Sequence, residues 1–317
     1  MKRFLIYVAS CLLIALPVIV LANVVDLMLV REKYKIKIPN GRRSIIIGPS
    51  TTGCSINDTI VDFVCNMSEN GCHYPALYPQ LKNILDNNDL DTVYLSSVRN
   101  TLYYVNENEL NKEIADINRL YHRMAQSDAE EFKDYWMPQK RFIRYFLHYD
   151  IKHLKNFRSP QVPSKGLGFL YLVRDNIHHG QWSIEWQDSA NASKPNDFYS
   201  YERLTNDCSL ITKYFRKSIE LCRQRGVVPV LLNVPIYHYD RWFSDKGYLD
   251  FLATLDPDLL IADYEHYSLP DSCYGDVFHL NHKGARVLSE DIKANGFKTQ
   301  RLRDYIRDAR ARTPDSQ

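Results

Sequence analysis

The pattern of apolar and polar positions divides the chain into three regimes. The first is Phe4 to Val25, FLIYVASCLLIALPVIVLANVV, which holds no charged residue and follows Lys2 and Arg3. About 20 apolar residues suffice to cross a bilayer as a helix, whereas a secretory apolar core usually has about 7–15. The pattern predicts a retained anchor over residues 1–30, with cleavage after Val20-Leu21-Ala22 as the alternative. Residues 31–43 read as a polar, basic linker. From Ser44 onward short apolar runs alternate with helical periodicity, the signature of a parallel α/β sheet. Ile45–Ile47, Ile60–Cys65 and Thr92–Leu95 read as strands. Leu77, Leu81 and Leu85 predict a helix within Pro75–Leu85. Leu110, Ile114, Ile117, Tyr121 and Met124 predict another between Glu107 and Met124.

The alternation stops at about residue 128 and resumes after about 201. The stretch between is rich in aromatic and basic side chains and reads as an insertion. Beyond it, Leu210, Ile211, Tyr214, Phe215, Leu221 and Cys222 form a helical stripe, with Gly226 as its stop. Val227 to Val234, VVPVLLNV, is apolar on both faces, as a strand covered by helices on each side must be. Leu259–Ala262 reads as the last strand and Lys283–Ile292 as a closing helix. The expected architecture is α/β: a flavodoxin-like three-layer sandwich with a central parallel sheet over residues 44–298, a central insertion at about 128–201 and an N-terminal transmembrane helix. Residues 299–317 read as a charged tail that frays.

Composition narrows this picture only a little. The 317 residues are 45% hydrophobic and 25% charged, the balance of a folded globular protein. Forty basic against 38 acidic residues leave a net charge of +2, which implies no polyanionic partner for the chain as a whole. Basic and aromatic residues alternate in the insertion without a nucleic-acid-binding module, so no nucleic-acid partner is expected. None of the seven cysteines forms a CxxC pair, against a zinc ribbon or a thioredoxin-like site. Disulfides in an oxidising compartment and small buried hydrophobes both remain open. His279 and His282 can share a helix face, but further ligands at metal spacing are lacking, so no metal or other cofactor is expected. Arg31, Lys33, Lys35, Lys37, Arg42 and Arg43 lie just after the apolar span, and by charge count they lean against export of the domain beyond them.

Chemistry concentrates after the first strand, in Ser44 to Asp58, SIIIGPSTTGCSIND. GPSTTGCS matches a phosphate-binding loop except that Cys54 stands where that loop needs its lysine, so a degenerate nucleotide-binding loop is one reading. The other puts Ser50 at the C-terminal edge of the sheet, where open α/β sheets bind ligands, as a nucleophile. A serine hydroxyl needs a histidine to take its proton, and that histidine needs a carboxylate to orient it. Four Asp-x-x-His pairs offer one: Asp150/His153, Asp175/His178, Asp263/His266 and Asp276/His279. The first two fall in the insertion. The third follows the last strand directly and competes. The fourth is favoured because Asn281, Gly284 and Ala285 lead it into an amphipathic helix that anchors the loop. Acyl chemistry also needs donors at the developing oxyanion. The Ser50 N–H is one. Gly71, in Asn66 to Gly71 (NMSENG) after the second strand, offers another backbone N–H.

These blocks, in this order, resemble the SGNH (GDSL-like) hydrolase superfamily. Gly48 and Ser50 match its first block, Asn66 and Gly71 its second, and Asp276 and His279 its last, over roughly residues 44–102 and 203–296. Two positions depart from the pattern. Pro49 replaces the first-block Asp, and SSVRNTL after the third strand offers Asn100 as the oxyanion asparagine without the family's spacing. The resemblance implies Ser50 as nucleophile, His279 as base, Asp276 as its orienting carboxylate, and Ser50, Gly71 and Asn100 as oxyanion donors. It further implies an exported, membrane-anchored esterase or acyltransferase. Its substrates would be acylated carbohydrates of the cell envelope or small esters, with no cofactor. Trp182, Trp186 and the tyrosines around Tyr199 suit stacking on sugar faces, and Lys140, Arg141 and Arg144 suit anionic glycans or headgroups. A non-catalytic glycan-binding member is the alternative.

Overall fold

The computed structural model describes residues 1–103, 123–138, 169–173, 177–192, 200–238 and 246–312. Its elements in chain order are α1 (Lys2–Lys33), β1 (Ser44–Ile47), α2 (Ser50–Ser55), β2 (Val64–Asn66), α3 (Tyr74–Asn87), β3 (Thr92–Ser96), α4 (Arg99–Leu102), α5 (Ile184–Ala192), α6 (Tyr201–Thr205), α7 (Ser209–Gln224), β4 (Val228–Asn233), α8 (Lys246–Leu252), β5 (Leu260–Asp263), α9 (His282–Asn295), β6 (Thr299–Arg301) and α10 (Leu302–Arg312). A short helical passage, Ala129–Glu131 and Phe132–Trp136, lies between α4 and α5. The predicted helix between Glu107 and Met124 lies outside the described residues except for its end, where Met124 is buried.

The strands form one sheet in the order β2-β1-β3-β4-β5-β6, with all neighbours parallel except β5 and β6. Alternation along each strand sends successive side chains to opposite faces. In β1, Ile45 and Ile47 join the apolar layer packed by α3, α7, α8 and α10, while Ile46 joins the layer packed on the other face by α9. In β4, Leu231 goes to the first layer and Val230 and Leu232 to the second. A strand with two apolar faces is thus required by helices on both sides.

Local signals set the helix ends. After α7, Gly226 has φ +69°, its N–H bonds Arg223 C=O, and Val227 N–H bonds Cys222 C=O at 2.9 Å. That pair of bonds closes the helix as a Schellman motif, which a left-handed glycine permits. β2 is shorter and later than Ile60–Cys65. Ile60 and Val61 N–H both bond Asn57 C=O, so the chain turns there and enters the ladder only at Val64.

Two expectations need correction. Residues 299–312 are not a frayed tail: Thr299, Gln300 and Arg301 pair with Ala262, Ile261 and Leu260. α10 then buries Leu302, Tyr305, Ile306 and Ala309. Its dense charges hid an apolar stripe with helical spacing. The basic linker is also ordered against the domain. Tyr34 and Ile36 are buried, and Asn83 of α3 and Asn88 just after it hydrogen-bond its backbone. All seven cysteines are free thiols, six of them buried and Cys11 exposed on α1. α1 itself is long and apolar enough to cross a membrane.

Candidate active site

Ser50 is placed by the tight exit from β1. A Cβ on Gly48 would lie 2.6 Å from Ser96 Cβ and 2.7 Å from Thr52 Oγ1, so only glycine lets β1 pass β3 here. Pro49 precedes α2, and its carbonyl accepts the Gly53 N–H at 3.0 Å. Proline suits this position because no donor is needed from its own nitrogen. Ser50 begins α2, so its N–H has no acceptor within the helix ladder. β1 lies between β2 and β3 in the sheet, and the chain leaves it at the switch point where open α/β sheets form a ligand crevice.

His279 and Asp276 reach Ser50 from the loop between β5 and α9. Ser50 Oγ is 2.8 Å from His279 Nε2, and His279 Nδ1 is 2.8 and 3.0 Å from the two oxygens of Asp276. Asp276 is wholly buried, and its Oδ1 also accepts the N–H groups of Phe278 and His279 at 2.9 and 3.0 Å. A buried carboxylate is costly unless such donors satisfy it. The imidazole keeps 15% of its side-chain surface exposed.

The loop is held at both ends. Tyr274 bridges Leu280, and Gly275 N–H bonds His279 C=O at 2.8 Å. Asn281 accepts the Lys283 and Gly284 N–H groups as the α9 cap, while its amide donates to Ser272 and Tyr274 carbonyls. Capping of this kind is worth about 1 kcal/mol. Gly284 allows α9 to press on the loop, since a Cβ there would fall 2.2 Å from Cys273 O. Asn57 N–H donates to Ser289 Oγ at 2.8 Å, tying the end of the nucleophile segment to α9.

The insertion contributes a strap that the sequence reading missed. Leu170 N–H bonds Gly53 C=O at 2.9 Å, and His282 N–H bonds Leu172 C=O at 2.8 Å. Residues 169–173 therefore join the nucleophile helix to the start of α9. The signal was the five-residue apolar run FLYLV inside a polar stretch. Nearby, Val277 N–H bonds Trp182 C=O at 3.0 Å, and the Trp182 ring lies 5.4 Å from Phe278 and 4.6 Å from Trp186. Trp182 has φ +69°, a strained conformation for a large side chain, which persists only where its surroundings hold it. Lys140, Arg141, Arg144 and Tyr199 lie outside the described residues.

The oxyanion candidates divide. Asn66 is buried and structural: its amide donates to Ile56 and Thr52 carbonyls, and its Oδ1 accepts the Ser68 N–H. Glu69 N–H bonds Gly48 C=O at 2.9 Å, which carries the loop after β2 alongside the approach to Ser50. Nothing lies within 4 Å of a Cβ built on Gly71, so that glycine serves a positive φ of +66° and not a close approach. The Ser68 hydroxyl, also in this loop, is buried without a hydrogen-bond partner among the described residues. Asn100 lies in α4, and its side chain is outside the described residues. The loop is braced by the buried Arg123, which pairs with Glu69 and bonds Cys72 Sγ and Gln80 Oε1. Burial lowers the Arg123 guanidinium to about 10, within the range where it stays charged.

The Asp263/His266 pair is arranged differently. Asp263 ends β5 and His266 is exposed, while between them Glu265 is buried against Arg99. Asp150, His153 and Asp175 are outside the described residues, and His178 is exposed. Among the described residues, no group of three or more His, Cys, Asp or Glu side chains is arranged to hold a metal ion. Cys54, at the lysine position of the phosphate-loop pattern, is buried within the single turn of α2. No protein-family model matches the chain, and no curated protein matches it significantly.

Proposed function

We propose that this protein is a serine ester hydrolase or O-acyltransferase of the SGNH type, working through an acyl-serine intermediate. The observation that carries this reading is the unbroken hydrogen-bonded relay from Ser50 Oγ through His279 to buried Asp276. It sits at the sheet edge and is assembled from segments 229 residues apart. In the reaction, His279 Nε2 takes the Ser50 proton as Oγ attacks the ester carbonyl. The same nitrogen then returns the proton to the leaving alcohol. Asp276 holds the imidazole with Nδ1 protonated and stabilises the imidazolium. Water, or an acceptor hydroxyl, repeats the sequence to free the acyl group. The Ser50 N–H and a backbone N–H from the 66–71 loop supply the oxyanion donors. Each such donor is worth about 10²–10³ in rate.

The aromatic pair of partly buried Trp182 and exposed Trp186 beside the base loop favours a carbohydrate ester, since sugar faces stack on such rings. An acylated envelope carbohydrate is the substrate class we favour, with α1 as the membrane anchor of an exported domain. The test is labelling with a fluorophosphonate probe. The wild-type protein should label and Ser50→Ala should not. No labelling of either would favour a glycan-binding protein that keeps the fold without the chemistry.

A further inference from the structure

The course of α1 indicates which end of the domain meets the bilayer. The catalytic residues occupy the end of the sheet where the parallel strands finish. α3 begins at this end: it comes after the β2 loop, and Tyr74 OH donates to the Ser96 carbonyl at the end of β3. α3 finishes at the opposite end, where Asp91 N–H bonds the Arg43 carbonyl just before β1 and β3 start. The segment after α1 runs down α3 in the same direction. Tyr34 C=O accepts from Asn83, Ile36 exchanges bonds with Asn83 and Asn88, and Ile38 N–H bonds Asn88. Traced backward, the chain therefore climbs from the far end toward the catalytic end as it enters α1.

The last turns of α1 lie against the protein, and their course, continued, leads toward the catalytic end. Tyr34 N–H bonds Val30 C=O, and Gln126 holds the Arg31 and Tyr34 carbonyls. Val30, Asp26 and Asn23, at helical spacing, are buried. From Asn23 to Tyr34 a helix rises about 16 Å. Above Ala22 the described large apolar side chains from Phe4 to Leu21 are exposed, apart from partly buried Ile19. That stretch is roughly 27 Å long at 1.5 Å per residue, close to the hydrocarbon thickness of about 30 Å. Polar residues and burial thus begin together at Asn23, so the bilayer surface falls at the height of the catalytic edge. A second observation agrees. Tyr171, Val173 and Trp186 expose large apolar surface on this edge, around the strap and the base loop. Exposed aromatic side chains of this kind prefer the membrane–water interface.

We propose that α1 holds the sheet edge bearing Ser50 against the bilayer surface, so that the substrate is an amphiphile presented by that bilayer: an acylated sugar carried on a lipid tail. The orientation stands by itself, whereas the substrate class rests on the ester chemistry proposed above. The docked segment from Asn23 to Ile38 makes the coupling stiff. A flexible tether of the same length would let the domain tumble and lose this bias.

The experiment uses the full chain in lipid vesicles. In a Cys11→Ser background, one fluorophore goes on Val173→Cys at the catalytic edge and, separately, one on Asp89→Cys at the far end. Nitroxide headgroup lipid should quench the first several-fold more than the second. Equal quenching, or stronger quenching of Asp89→Cys, overturns the orientation. For the substrate, an acetylated methyl glucoside in solution is compared with an acetylated hexadecyl glucoside in the same vesicles. A ten-residue Gly/Ser spacer inserted after Ala22 should lower turnover of the lipid-tailed ester about tenfold and leave the soluble ester unchanged. Unchanged turnover of both overturns the amphiphile assignment. Failure of the wild-type protein to cleave even the soluble ester would sink the esterase reading instead, and leave the quenching result to decide the orientation.

Discussion

Asp263/His266 and Asp276/His279 have the same spacing and lie at or beyond the end of the same strand, yet they lead to different local structures. Asp263 is the last residue of β5, and its Oδ1 receives a single backbone donor, Glu265 N–H at 3.3 Å. The chain then turns Glu265 inward onto Arg99, whose guanidinium also lies 4.2 Å from the Tyr248 ring, and His266 is left exposed. Asp276 instead sits in a loop closed by the Tyr274–Leu280 bridge, where two N–H groups and the imidazole converge on its carboxylate. At the first site the buried charge packs the sheet edge to α8. At the second it orients the imidazole that faces Ser50. Here aspartate three residues before histidine bonds that imidazole where the backbone curls back on itself and a helix holds the curl.

The sharpest test of this contrast is Asp276→Asn against Asp263→Asn. The first should lower ester turnover by about 10⁴, because the imidazole loses the partner that sets its tautomer. The second should leave turnover within about twofold, measured with the same soluble ester. Equal losses would erase the distinction. Glu265→Ala should next cost about 3–5 kcal/mol of stability in urea unfolding, since it strands Arg99 in a buried site. A loss under about 1 kcal/mol would mean the Arg99–Glu265 pair contributes no structural role. Gly284→Ala should cost about 1–3 kcal/mol, because its Cβ would meet the Cys273 carbonyl at 2.2 Å and push α9 off the base loop. Turnover should fall with it. Full stability with full activity would show that the loop does not depend on that close approach.

Much of the framework was legible in periodicity alone. The apolar span, the strands at Ile45–Ile47 and Thr92–Leu95, the two-faced strand after Gly226 and the helix after Asn281 are all local patterns. The nucleophile loop was legible too, because Gly48, Pro49 and Ser50 end an isoleucine run abruptly. α10 was not, since its four buried positions are scattered among arginines and aspartates. Nor was the strap at residues 169–173, an apolar run whose partners lie more than a hundred residues away in both directions.

Sequence alone determined which segments must bury apolar surface, and where the backbone must turn, because those demands arise between near neighbours. Tertiary structure decided which of several equivalent Asp-x-x-His pairs meets Ser50, that β6 joins the sheet antiparallel, and that the chain after α1 runs down α3. Those outcomes depend on contacts between distant segments, whose pairing no local periodicity encodes. Hydrogen bonds such as Ser50 to His279 come into being only when the sheet and its covering helices have packed.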